Sequence, residues 1–141
     1  MVANEVPMSA SYRDLRVWQT SMRLVANIFT ATQDFPKSEL YGLVNQMRRA
    51  AVSVPSNIAE GKGRLTDRDR AHFFSQARGS LLKLETQILI GEQLKYVSSA
   101  QANALVQLSA EVGRMLNALI DSIRPKHATS APGNAVREEE V

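Results

Sequence analysis

Cysteine is absent from the chain, which excludes disulfides and thiolate chemistry of any kind. Histidine is nearly absent: there are only His72 and His127. Metal sites in helical bundles draw on Glu-x-x-His pairs from facing helices, and two histidines cannot supply them. Asp69 and His72 form a single i,i+3 pair, and Asp69 is better explained as part of a helix cap. No metal and no other cofactor is expected. No apolar run approaches the roughly 18 residues of a membrane helix, and no basic segment leads into an apolar one near Met1. Neither a membrane partner nor export is expected, and cytoplasm is the default. Aromatic residues make up only 6% of the chain. Trp18, Phe29, Phe73 and Phe74 fall at core-like positions, so they are not expected to serve as stacking platforms for single strands.

What is present is an ordinary globular composition, 44% hydrophobic and 22% charged over 141 residues. That length fits one domain burying roughly 70% of its unfolded surface. The net charge of +3 is unevenly placed. Between Gln46 and Ser80 seven basic residues stand against three acidic ones, a local net of +4, so the remainder of the chain nets −1. Such asymmetry suits an anionic partner.

Apolar spacing predicts four helices, over about 12–33, 39–60, 67–95 and 99–124. In the first, Leu15, Trp18, Met22, Val25 and Phe29 follow one another at helical steps, with Ser11 and Asp14 as a capping box. Phe35 and Pro36 stop it. Ser38 is expected to cap the second helix, whose stripe is Leu40, Val44, Met47, Ala51, Val54 and Ile58. Pro55 interrupts that stripe. It has no N–H for the Ala51 carbonyl, so a bent helix held by neighbours is expected, with Ser53, Ser56 or Asn57 serving the freed groups. Gly61, Lys62 and Gly63 read as a turn; a phosphate loop would need a longer spacer and a Ser or Thr after the lysine.

Thr66 with Asp69, and Ser98 with Gln101, are capping boxes for the third and fourth helices. Their stripes are Phe73 or Phe74, Ala77, Leu81, Leu84, Ile88 and Gly91, then Leu105, Leu108, Val112, Met115, Leu119 and Ile123. Ala77, Gly79, Ser80 and Gly91 would admit a close neighbour. Short connections make consecutive helices antiparallel, giving an all-α, up-down-up-down four-helix bundle over 11–124. Residues 1–10 and 125–141 are expected to be disordered ends. Val17, Leu24, Ile28, Leu82 and Leu89 lie off the main stripes, and a second apolar face is a reason to expect self-association.

Several stretches carry a family resemblance: Gln46 to Gly61, Asp14 to Gln19, Phe35 to Leu43, and Gly79 to Gln87. Together they resemble the bacterial four-helix-bundle proteins encoded in intervening sequences of the 23S ribosomal RNA gene. They are similar, more distantly, to the accessory variability protein of diversity-generating retroelements. The match spans roughly Tyr12 to Arg124. Lys83 departs from it where the family shows glutamate, and Lys95 where glycine is common. The resemblance implies a ring-shaped homo-oligomer, a pentamer.

A non-enzymatic, oligomeric protein that binds nucleic acid, structured RNA above all, is therefore expected. Its candidate contacts are Arg48, Arg49, Lys62, Arg64, Arg68 and Arg70, which would grip phosphate without a fixed base register. Helical geometry places Arg49 in solvent and Arg48 on the flank, where it also has the alternative of pairing with Glu85 or Glu60. A second reading is a protein-interaction scaffold, which in the retroelement comparison would dock a reverse transcriptase. No catalytic residues are assigned. Arg68 and Arg70 stand too close to His72, and Arg64 too far, for an arginine–histidine nuclease pair, and no Ser/His/Asp arrangement is apparent.

Overall fold

In the computed structural model, which describes residues 11–124, four helices follow one another with no strand among the described residues: α1 (Arg16–Thr32), α2 (Leu43–Lys62), α3 (Asp67–Gln93) and α4 (Ser99–Ile123). The expected loose ends at 1–10 and 125–141 lie outside the described residues. Each helix packs on the next and α4 closes against α1, with the seam between α2 and α3 the most extensive. Cross-helix pairs fix the antiparallel sense. Gly61 late in α2 meets Phe74 early in α3, and Arg78 early in α3 reaches Asn117 late in α4.

Two helix starts differ from the sequence expectation. Ser11 does cap a helical turn, but it is a separate 3-10 turn, Tyr12–Asp14, which ends at extended Leu15 before α1 begins. Likewise Ser38 lies inside a second 3-10 turn, Lys37–Glu39, and does not cap α2. The Glu39 carboxylate does so instead, accepting from the Leu43 N–H at 3.2 Å. A negative charge there also complements the positive end of α2. At the other two starts the expected residues cap: Thr66 accepts from the Asp69 N–H without the return bond of a full capping box, and Ser98 with Gln101 completes a reciprocal one.

The core face of α1 is rotated from the expected stripe. Val17, Thr20, Ser21, Leu24, Ile28 and Thr32 are buried, whereas Met22 and Phe29 are 44% and 37% exposed. Hydroxyls made the true face look polar. Ser21 Oγ donates to the Trp18 carbonyl at 2.8 Å and Thr32 Oγ1 to Ile28 at 2.7 Å, so both are buried with their protons satisfied inside their own helix. The same displacement occurs on α4, where Ala102, Leu105, Ser109, Val112, Leu116 and Ile120 are buried while Leu108, Met115, Leu119 and Ile123 are only half-buried. On α2 and α3 the expected stripes are the core, with Phe74 rather than Phe73 inside and Leu40 left exposed.

α2 continues through Pro55, which is buried. Side-chain donors gather beside the carbonyl that Pro55 cannot serve: Ser56 Oγ bonds Val52 O at 2.8 Å and Asn57 Nδ2 bonds Ser53 O at 2.9 Å. Gly61 and Lys62 form the last residues of α2, not a turn. A Cβ at Gly61 would stand 2.6 Å from the Phe74 ring, so this glycine lets α2 close on α3. Gly91 does the same for Phe35, which is buried between the two loops at that end and packs on Tyr96 at 5.3 Å between ring centroids. Gly79, by contrast, faces open space and admits no neighbour.

Candidate nucleic-acid interface

Short side chains bring α2 and α3 together. Ser53 and Ser80 share a hydrogen bond of 2.8 Å across the seam, and buried Ala50 and Ala77 belong to the same core. Above this floor the outward flanks of the two helices border an open groove of about 700 Å³, whose rim carries Arg49 from α2 and Lys83 from α3. Arg49 is exposed, as helical geometry predicted, and Arg48 is half-buried on the opposite flank.

The six arginines and lysines singled out from the sequence do not form one patch. Arg48 turns away to α1: its Nε donates to Thr32 Oγ1 at 2.9 Å, its Nη2 to the Phe29 carbonyl at 3.3 Å, and its guanidinium lies 4.7 Å from the centre of the Phe29 ring. It thus satisfies the carbonyl end of α1, where a cation is favourable. The expected carboxylate partners are not used. Glu60 instead pairs with Arg64 at 3.0 Å, one turn on, and Arg64 also stacks on Phe73 at 4.6 Å. Arg70 pairs with Asp67 at 2.6 Å. Lys62 is half-buried at the end of α2.

Arg68 is exposed at the start of α3 and shares a second groove, of about 760 Å³, with Ile120, Ile123 and Arg124 from the end of α4. Apart from Arg48, the candidate cations therefore fall in two places. One is the α2–α3 groove; the other is the end of the molecule where the α2–α3 turn meets the last turn of α4. His72 is exposed there too, its ring nitrogen 3.2 Å from Gln76 and its ring edge-on to Phe73. No cluster of three or more metal-binding side chains occurs among the described residues.

Lys83, Gln87 and Arg124 line the two grooves and were not among the sequence candidates. The signal for the first two was present but unread: Ser80, Lys83 and Gln87 on α3, and Gln46, Arg49 and Ser53 on α2, repeat at three- and four-residue steps along one polar flank of each helix. Nothing in the local sequence of Arg124 places it beside Arg68; only the antiparallel packing of α3 on α4 does.

Comparison with known proteins agrees with this architecture. The family model described as 23S rRNA-intervening sequence protein matches residues 13–118. A solved structure from Bacteroides thetaiotaomicron, described as a protein with unknown function from the S23 ribosomal protein family, superposes with a TM-score of 0.69. It is 17% identical, and the match covers 74% of this chain and 97% of that one, a likeness of fold. No curated protein matches the chain.

Proposed function

The chain belongs to the 23S rRNA-intervening sequence protein family, and from that premise we propose that it is a non-enzymatic, self-assembling protein that binds structured RNA through repeated basic surfaces. The observation that carries the reading is the pairing state of the cations. Arg49, Arg68 and Lys83 are exposed with no ion pair among the described residues, and the two bridges that hold Arg64 and Arg70 are exposed on at least one side. Exposed bridges of this kind contribute only about 0–1 kcal/mol, so phosphate can displace the carboxylate at little cost. Contacts made by such side chains recognise backbone and shape, not base edges.

Self-assembly strengthens the reading, because several weak patches in one ring gain effective concentration without any new contact. Exposed Leu82 and Leu89, seven residues apart on α3, and exposed Met22 and Phe29 on α1 are the surfaces that favour it. The same residues favour the second reading, a scaffold for another protein such as a reverse transcriptase. Among the described residues no helix is long and apolar enough to cross a membrane.

Fluorescence anisotropy with a structured RNA and a matched duplex DNA, at two salt concentrations, tests the proposal. Binding should prefer the RNA and weaken steeply with salt. Replacing Arg49 and Arg64 together by glutamate should abolish it while leaving the oligomer intact. Replacing Arg64 alone by alanine removes one phosphate contact and should flatten the log–log salt dependence by roughly 0.7–0.9. An absence of binding at low salt would overturn the RNA reading and leave the scaffold.

A further inference from the structure

The α2–α3 groove holds more than two cations. Beneath its rim lies Gln87, only 7% exposed, whose amide oxygen has no hydrogen-bond partner. A buried carbonyl left unpaired is costly, and a donor that reaches it recovers that cost. Beside it the Ser53 and Ser80 hydroxyls bond each other at 2.8 Å while Ser53 Oγ also accepts from Asn57 Nδ2 at 2.9 Å. Two hydroxyls joined by one bond use one proton between them. Whichever serine donates, the other proton is left for an acceptor in the groove. Ile90, exposed at 42%, adds an apolar wall. The volume of about 700 Å³ lies inside the range of roughly 300–1,000 Å³ that small-molecule sites occupy.

These groups define a ligand. Arg49 offers a planar fork, Lys83 a point charge and the serine pair one hydroxyl, and no carboxylate lines the groove. Two cations with no lining carboxylate match the charge of about −1.5 to −2 on a phosphomonoester better than the single charge of a carboxylate. Gln87 calls for a hydroxyl or amino donor on the same molecule, and Ile90 for a ring or another apolar face. We infer that the α2–α3 groove is a binding site for a nucleoside monophosphate, with Arg49, Lys83 and the Ser53–Ser80 pair on the phosphate and Gln87 on a donor of the nucleoside. That phosphomonoester can be a free nucleotide or the 5′ end of an RNA. The inference does not depend on the RNA reading, because the groove would hold a free nucleotide even if the Arg64–Arg70 end were inert.

The test is a titration of the full chain, followed by amide chemical shifts, with adenosine monophosphate, inorganic phosphate and adenosine. The nucleotide should bind saturably and shift groove resonances, phosphate should bind about tenfold more weakly for want of the Gln87 contact, and adenosine should not bind. Lys83→Glu places a carboxylate opposite Arg49 and should lower nucleotide affinity at least about tenfold. Gln87→Leu removes the unpaired oxygen without disturbing the rim, so the protein stays folded and only the nucleotide's advantage over phosphate is lost. Short RNAs with a 5′ phosphate and with a 5′ hydroxyl identify the source. A phosphate-dependent gain over the free nucleotide names the RNA end, and its absence names the nucleotide. Failure of millimolar nucleotide to move groove resonances, or an unchanged affinity in Lys83→Glu, would overturn the assignment. The RNA reading fails independently, through an absence of structured-RNA binding at low salt or an unchanged RNA affinity in Arg64→Glu, a residue outside the groove.

Discussion

Glu39 shows how one side chain can hold two parts of the bundle to its own turn. One carboxylate oxygen accepts from the Leu43 N–H and so starts α2, while the other accepts the Tyr96 hydroxyl at 2.9 Å and so ties down the loop between α3 and α4. The hydrogen bond to Glu39, with smaller effects of desolvation and of the carboxylate charge, raises the Tyr96 pKa above the ordinary 10.0. A tyrosine whose folded value exceeds its unfolded one contributes stability that is fully present below the unfolded value. That stability is lost as pH climbs through the folded value. Alkaline titration of tyrosinate absorbance should therefore show a late step that disappears in Tyr96→Phe, and the variant should unfold at a lower temperature at neutral pH. Amplitude lost from the ordinary tyrosine step, with no late step in the parent protein, would mean that the bond does not form. From the sequence Glu39 was invisible in this role, because Ser38 beside it is the better cap by composition. Arg48 was half legible: its flank position followed from helical geometry, but its acceptors, a carbonyl and a threonine at the end of another helix, lie 19 and 16 residues away.

At the scale of the element, α3 ends in a left-handed residue. Lys95 has φ 65°, the Tyr96 N–H reaches back to the Gly91 carbonyl at 2.9 Å and the Lys95 N–H to Glu92 at 2.9 Å, which together make a Schellman termination. Glycine adopts that conformation without a Cβ penalty, whereas lysine pays for it. Lys95→Gly should raise stability by about 1 kcal/mol, read as a higher midpoint in chemical denaturation with an unchanged slope. A lower midpoint would show that the lysine side chain contributes more than its backbone costs. The family resemblance implies glycine where Lys95 stands, so this position is legible from the sequence, though its reason is not. Helix number, order and most ends were legible from spacing and caps, because each stripe is long enough to outvote a proline or a glycine. The core faces of α1 and α4 were not. Thr20, Ser21, Thr32 and Ser109 are buried there, and a spacing argument that scores hydroxyls as polar rotates the face toward Met22, Phe29 and Met115. Ser21 and Thr32 suit close helix contact because their protons are bonded to their own helix, whereas the buried Ser109 hydroxyl has no hydrogen-bond partner among the described residues.

For the whole molecule, the proposed self-assembly turns on how copies would meet. A ring requires a heterologous contact, in which one patch on a copy meets a different patch on the next. Two such patches exist on separate helices: Leu82 and Leu89, 60% and 48% exposed on α3, and Met22 with Phe29 on α1. An isologous dimer would use one patch twice. Glutamate at Leu82 and Leu89 together should reduce the assembly to the 15.6 kDa monomer in light scattering, with helicity retained because neither side chain is in the core. Met22→Glu should do the same. The decisive step is to mix the two variants. Each keeps the patch that the other has lost, so a heterologous contact predicts a one-to-one pair that grows no further, since both remaining patches are spoiled. An isologous contact through α3 predicts instead that the Met22→Glu variant dimerises alone and that mixing changes nothing. Under the proposed function assembly matters at this scale, because repetition around a closed ring would turn the α2–α3 groove and the Arg68 end of each copy into a surface that a folded RNA can span.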